Sequence, residues 1–174
     1  MSRDLRHSRM LITGASSGIG RALALKAAAA GARLALVSRS AEKLASLEQS
    51  LPANSEVCSI VADITRPEDR ERLLRTASER FDGLDVLVNN AGVASFGHFS
   101  TSSEEILRTI METNFFGPAE LIRSAVPILV KGRQPAIVNV SSMTGRRGMP
   151  AWSEYSASKY ALCGLTEALR GEMA

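Results

Sequence analysis

Short apolar runs alternate with longer amphipathic stretches along the 174 residues. Met10–Thr13 is an apolar run ending at a glycine, and Gly18–Ala30 then has the alanine- and leucine-rich character of a helix closed by Gly31. Arg33–Ser38 reads as a second strand and Ala41–Leu51 as a second helix, with Ser40 as N-cap and Pro52 as its stop. A third pair follows: strand Val57–Ala62, then helix Pro67–Phe81 with Pro67 near its first turn. Val86–Asn89 is a fourth strand. Ser103–Val130 carries a long helical pattern that Pro118 and Pro127 are expected to bend or interrupt. Ala136–Val140 is a fifth strand, and Ala151–Met173 is the last helix.

The strands are apolar without alternation, as in Leu34-Ala35-Leu36-Val37 and Val86-Leu87-Val88. That pattern fits strands covered on both faces, in a parallel sheet flanked by helices. Strands alternating with helices predict a doubly wound α/β fold, here one domain over residues 1–174. The chain stops inside its last helix, where a doubly wound sheet would run on into another strand. The expectation is therefore a domain with about five strands present, incomplete at its C-terminal end.

Charge changes this picture little. The net charge is +3, scattered, and the densest basic spots are Arg3, Arg6 and Arg9 and the Arg146-Arg147 pair. Neither is a long single-sign block, which argues against a nucleic-acid partner. Cys58 and Cys163 read as small, half-buried hydrophobes of a reducing compartment. His7 and His98 stand alone and no metal-ligand spacing occurs, so no metal is expected. Met1–Arg9 is polar, with no apolar segment of a signal peptide after it, and no apolar run approaches the ~18 residues of a membrane span. The expected location is the cytoplasm.

The first candidate chemistry is Thr13-Gly14-Ala15-Ser16-Ser17-Gly18-Ile19-Gly20, between the first strand and the first helix. Gly14 allows a tight turn, Gly18 lets the backbone approach a pyrophosphate, and Gly20 lets the helix pack near the strand. Free N–H groups at the helix start then face the phosphates. The spacing is G-x-x-x-G-x-G rather than the commoner G-x-G-x-x-G, and glycine-rich turns also occur without ligands.

Further motifs follow in order: Asn89-Asn90-Ala91-Gly92, Asn114, the Ser141-Ser142 pair and Tyr155-Ser156-Ala157-Ser158-Lys159. Together with Thr13–Gly20 they resemble, in order and spacing, the motifs of the short-chain dehydrogenase/reductase (SDR) family. The resemblance runs from about Met10 to the last residue and implies a Rossmann-like, nucleotide-binding fold. It also implies a nicotinamide cofactor held by Gly14, Ser16, Ser17, Gly18, Ile19 and Gly20 in the turn. Asp63 with the backbone of Ile64 at the adenine, and Asn90, Ala91 and Gly92 at the cofactor edge, complete the implied site with Tyr155 and Lys159. Asp63 has a second reading as a helix-capping acid before Pro67, and the role of Asn90 is partly structural.

An acid at the end of the second strand would accept from the 2′-hydroxyl of NAD. This chain has Ser38-Arg39 there. A guanidinium pairs with a 2′-phosphate, so NADP(H) is favoured over NAD(H). The alternative is that Arg39 is simply solvated.

Tyr155 and Lys159 are four residues apart on a predicted helix and share a face. A free phenol titrates near pH ~10, and a nearby positive charge favours the phenolate. The resemblance makes Tyr155 the general acid in carbonyl reduction and the general base in alcohol oxidation. Ser142, thirteen residues before Tyr155, is the implied catalytic serine, bonding the substrate oxygen alongside Tyr155, with Ser141 the lesser candidate. Asn114 is implied to bend its helix and hold a water beside the lysine. Its other reading is an ordinary helix asparagine near Gly117-Pro118.

The implied reaction is reversible hydride transfer between the nicotinamide and a carbonyl or alcohol carbon. Phe96, Phe99, Met149 and Trp152 point to a small apolar substrate. The alternative function is a truncated, catalytically weak chain that still binds a dinucleotide or a partner. The family pairs its long fourth and last helices into a dimer bundle, so a homo-oligomer is expected. Leu162, Leu165 and Leu169 either serve that contact or face only the sheet.

Overall fold

The computed structural model describes residues 3–173. Five strands form one parallel sheet: β1 Arg9–Thr13, β2 Arg33–Ser38, β3 Val57–Val61, β4 Val86–Asn89 and β5 Ala136–Asn139, in the order β3-β2-β1-β4-β5. Six α-helices connect or follow them: α1 Gly18–Ala29, α2 Ala41–Glu48, α3 Pro67–Phe81, α4 Glu104–Met111, α5 Gly117–Leu129 and α6 Ser153–Glu172.

Alternating side chains of each strand feed two cores. Met10, Ile12, Leu34, Leu36, Val86 and Val88 meet Ala24, Ala27, Leu44 and Leu47 of α1 and α2. On the other face Leu11, Ala35, Val37 and Leu87 meet Leu73, Ala77 and Phe81 of α3 and Leu121, Ala125 and Leu129 of α5. Both faces are covered, which is why these strands carry no polar alternation. Leu162 of α6 is buried, and Leu165 and Leu169 pack against the second core. The three leucines thus face the body of the domain.

The doubly wound α/β expectation holds, as does the Gly31 stop, while several element bounds differ. Helix α1 ends at Ala29, with Gly31 at φ 81° and the Gly31 and Ala32 N–H groups bonding Ala28 O and Ala27 O, a left-handed glycine stop. Helix α2 ends at Glu48 rather than Leu51, because its last turn tightens into Ser50 N–H to Leu47 O and Leu51 N–H to Glu48 O bonds. Helix α6 starts at Ser153, after Ala151 at φ 64°. The long fourth pattern is interrupted at a π-helical segment, Glu112–Phe116, whereas Pro127 lies inside α5 and Pro118 occupies its first turn. Pro118 has no N–H to carry on the ladder, immediately after the Gly117 N–H to Glu112 O bond that closes the π-helical segment.

At the opposite end of the sheet from the glycine turn, Asp85 accepts from Arg9 N, Nε and Nη2 and from Arg133 N. Burial raises the Asp85 pKa, but these donors outweigh it and bring the carboxyl to about 2. The pair staples the starts of β1 and β4 to the loop before β5.

Among the described residues, no helix is long and apolar enough to cross a membrane.

Candidate active site

In a doubly wound sheet, ligands bind beyond the carboxyl ends of the strands, where the strand order reverses. That point lies here between β1 and β4. The Thr13–Gly20 turn leaves β1 there. Gly14 sits at φ 63°, and a Cβ on it would lie 2.8 Å from Ala91 Cα. A Cβ on Gly20 would strike Gly14 O and Asn90 Nδ2. Gly20 therefore serves close packing of the turn against the loop after β4, more than of the helix against the strand.

Asn90 Nδ2 donates to Thr13 O and Gly14 O at 3.0 and 3.1 Å. The buried Thr13 hydroxyl accepts from Asn90 N and Ala91 N at 3.0 and 3.1 Å and donates to Val88 O. These bonds lock the two loops together and give Asn90 a scaffold role through its Nδ2.

Helix α1 begins at Gly18 with Ser17 as N-cap, yet no side chain caps it and no acid occupies its first turn. Ser17, Gly18 and Ile19 are exposed. The unpaired N–H groups and the positive end of the helix dipole thus face open space, the arrangement an anion needs.

A cleft of about 310 Å³ runs from Ser16 and Ser17 past Ser38, Arg39 and Lys43 to Asp63, Ala91 and Gly92. A second pocket that shares Arg39 and Asp63 with it is lined also by Thr65, Glu104, Arg108 and Glu112. Ser16 Oγ and Ser38 Oγ share a hydrogen bond of 2.7 Å, and Ser40 N–H donates to Ser38 Oγ. Asp63 lines the cleft but caps no helix. Its Oδ1 accepts from Thr65 N and Oγ1, and Arg66 is the N-cap of α3. Ile64 is buried, and its carbonyl is taken by Arg70 Nη1.

Lys159 and Tyr155 lie on α6, one turn apart. Lys159 is 5% exposed; its Nζ donates to Val140 O at 2.9 Å and stands 5.7 Å from the Tyr155 ring centroid. Burial pushes the Lys159 ammonium below its ordinary value, partly opposed by Cys163. Asn114, in the π-helical segment, is fully buried. Its Oδ1 accepts from Val93 N, and its Nδ2 donates to Val93 O and Ser158 Oγ, at 2.8 to 3.0 Å. Ser158 Oγ in turn donates to Tyr155 O at 2.8 Å. The bulge in the helix is what delivers Asn114 to α6. A Cβ on Gly92 would lie 3.2 Å from Asn114 Oδ1 and 3.7 Å from Lys159 Nζ, so the glycine lets the end of the cleft reach the lysine.

The two serines after β5 divide as strand neighbours do. Ser141 Oγ lies 3.1 Å from Cys163 Sγ and donates to Lys159 O, while Ser142 Oγ accepts from Thr144 N in the short turn Met143–Gly145. Thr13 and Ser158 are the two buttresses that the sequence motifs contain but that a reading by residue type passes over.

The comparisons with known proteins agree with this geometry. The family model described as short chain dehydrogenase matches residues 8–174. The chain belongs to the short-chain dehydrogenase family. It is 36% identical to dehydrogenase/reductase SDR family member 7B of Bos taurus, over 99% of this chain and 55% of that protein. Among solved structures, a short-chain dehydrogenase/reductase of Burkholderia phymatum in complex with NAD is 33% identical. Its TM-score is 0.94, covering 98% of this chain and 62% of that one. A metagenomic short-chain oxidoreductase in complex with NADP is 31% identical with a TM-score of 0.92, covering 98% and 78%. The chain spans about half the length of the curated relatives it matches. Its family is one of dinucleotide-dependent oxidoreductases.

Proposed function

We propose that this short-chain dehydrogenase binds NADP(H) in preference to NAD(H) and interconverts a carbonyl and an alcohol, with Tyr155 as the proton donor and acceptor. The observation that carries the reading is the buried Lys159 beside Tyr155, abutting the end of a cleft that starts at an uncapped helix N-terminus.

The residues present fit a dinucleotide. The start of α1 offers free N–H groups to a pyrophosphate. Ser38 and Arg39 replace an acid at the ribose position, and Lys43 lines the same cleft. A guanidinium there pairs with a 2′-phosphate, which a carboxylate would repel. Both NAD and NADP occur in complexes of similar structures, so the choice rests on these side chains. Asp63 and Ile64 bound the adenine end, and Ala91 and Gly92 the inner edge.

The bound nicotinamide supplies or takes up the hydride. Tyr155 gives its hydroxyl proton to the substrate oxygen during reduction and recovers it during oxidation. Lys159, held by Val140 O, keeps its ammonium beside that ring. Ser142 donates to the same substrate oxygen as negative charge develops on it. Both ends of the Asn114 side chain are engaged. Its role is to hold Val93 and the Tyr155 turn in register, and a water passing protons to Lys159 would rest on its main chain. The expected assembly is a homo-oligomer.

The test is carbonyl-dependent oxidation of NADPH and of NADH, with binding of each measured by calorimetry. NADPH should bind more tightly, and Arg39→Asp should reverse the order, with roughly tenfold loss of NADPH affinity for a lost charge-assisted pair. Equal affinities left unchanged by Arg39→Asp would refute the preference. Binding without turnover of any carbonyl would favour the second reading, a dinucleotide-binding chain of weak activity.

A further inference from the structure

The segment between β4 and α4 is hydrogen-bonded at two places to the elements that carry the proposed catalytic groups, and comes close to α6 at a third. Val93 is bonded through both backbone groups to Asn114. Gly97 N–H donates to Ala151 O at 3.0 Å. Glu154, in the first turn of α6 and only 3% exposed, faces Ser102 and Ser95. The Ser102 hydroxyl, the Glu154 backbone N–H and, more weakly, Ser95 hold the Glu154 carboxyl below its usual range, against the burial that raises it. Glu154 Oε1 and Ser102 Oγ are both buried, and among the described residues neither has a partner of full hydrogen-bond geometry. A buried acceptor near a buried donor is a contact that a small side-chain movement completes. No step of the proposed reaction uses Glu154.

This fastening places a row of aromatic rings. Tyr155 lies 5.7 Å, centroid to centroid, from Trp152, and Trp152 lies 5.4 Å from Phe96. Phe96 is 74% exposed, a large apolar ring packed on Trp152 and one ring removed from Tyr155. Rings at such spacing prefer edge or offset contact with another flat π-system over contact with a puckered saturated ring.

We infer that Phe96 and Trp152 form the wall beside Tyr155 that takes a flat aryl group attached to the reacting carbonyl, and that Glu154 is the positioning residue that holds the Phe96 segment against α6. The inference rests on the proposed carbonyl chemistry for its choice of ligand, yet the wall is testable without turnover.

Trp152 is the only tryptophan, so its indole N–H gives a single resonance in a ¹H–¹⁵N spectrum. Acetophenone and cyclohexyl methyl ketone share one carbon skeleton and differ in ring flatness. In titrations of the unaltered chain, acetophenone should shift the indole resonance saturably and bind roughly fivefold more tightly than the saturated ketone. Phe96 is exposed, so Phe96→Ala should leave the fold intact and bring the two affinities together. Glu154→Ala should do the same, while Glu154→Gln, which keeps an acceptor for the serines, should retain the preference. Circular dichroism melting checks that each variant is folded. Equal affinities in the unaltered chain, no shift with either ketone, or a preference that survives Phe96→Ala would overturn the wall. A preference that survives Glu154→Ala, or is lost equally with Gln, would overturn the positioning role. If neither ketone is reduced but the aryl preference stands, the wall is supported and the proposed reaction is the part that fails.

Discussion

At the scale of single residues, the clearest energetic statement concerns Asp85, far from the cleft. Its side chain is 1% exposed and that of its partner Arg9 14%, so solvent screens the pair little. A carboxyl lowered from 3.8 to about 2 in the folded chain contributes roughly 2 kcal/mol to stability at neutral pH. Its folded value is depressed, so the contribution is present above 3.8 and is lost as the pH falls from there towards about 2. Asp85→Asn should therefore lower stability to urea by about that amount at pH ~7, and the gap to the parent chain should close in acid. Denaturant unfolding at several pH values checks this; a gap independent of pH would show that the ion pair is not its source. Gly20 is a second residue whose identity geometry fixes. A methyl group there meets Gly14 O and Asn90 Nδ2, so Gly20→Ala should separate the two cleft loops. It should weaken NADPH binding by an order of magnitude or more, ~1.4 kcal/mol at least, in calorimetry. Unchanged affinity would mean that the loops need not touch.

At the scale of elements, the strands and most helices were legible because both cores impose simple patterns. Leu34–Val37 and Val86–Val88 are apolar on both faces since α1 and α2 cover one side and α3 and α5 the other. From the residue pattern alone the π-helical segment was not legible; only the family resemblance implied a bend at Asn114. Its five residues, Glu-Thr-Asn-Phe-Phe, carry no helix-breaking signal, whereas Pro118 and Pro127 do and drew the expected break to themselves. What distinguishes the segment is tertiary: the buried Asn114 amide finds its partners in Val93 and Ser158, and the extra residue in the turn is the way to reach them. Asn114→Ala removes three such bonds. It should cost about 2–3 kcal/mol of stability, and thermal melting checks it. The site motifs were legible by type, as with Tyr155 and Lys159, but their supports were not. Glu154 belongs to none of the motifs, and only the approach of Ser95 and Ser102 from a distant segment shows what it faces.

At the scale of the whole molecule, one end of the sheet is built for stability and the other for ligands. The Asp85 staple lies at the amino ends of β1 and β4, while the glycine turn, Asn90, Gly92 and the Tyr155–Lys159 pair gather at their carboxyl ends. β5 is the edge of the sheet among the described residues, with Val138 45% exposed beside an apolar groove lined by Leu129, Ile137 and Leu169. The central claim concerns the other end, that Tyr155 moves the proton in a dinucleotide-dependent reaction. Its most direct test compares the parent chain with Tyr155→Phe, measuring NADPH affinity and carbonyl-dependent NADPH oxidation on the same preparations. The account predicts unchanged affinity with turnover reduced at least ~100-fold, the scale of a lost general acid. Undiminished turnover in Tyr155→Phe would contradict it.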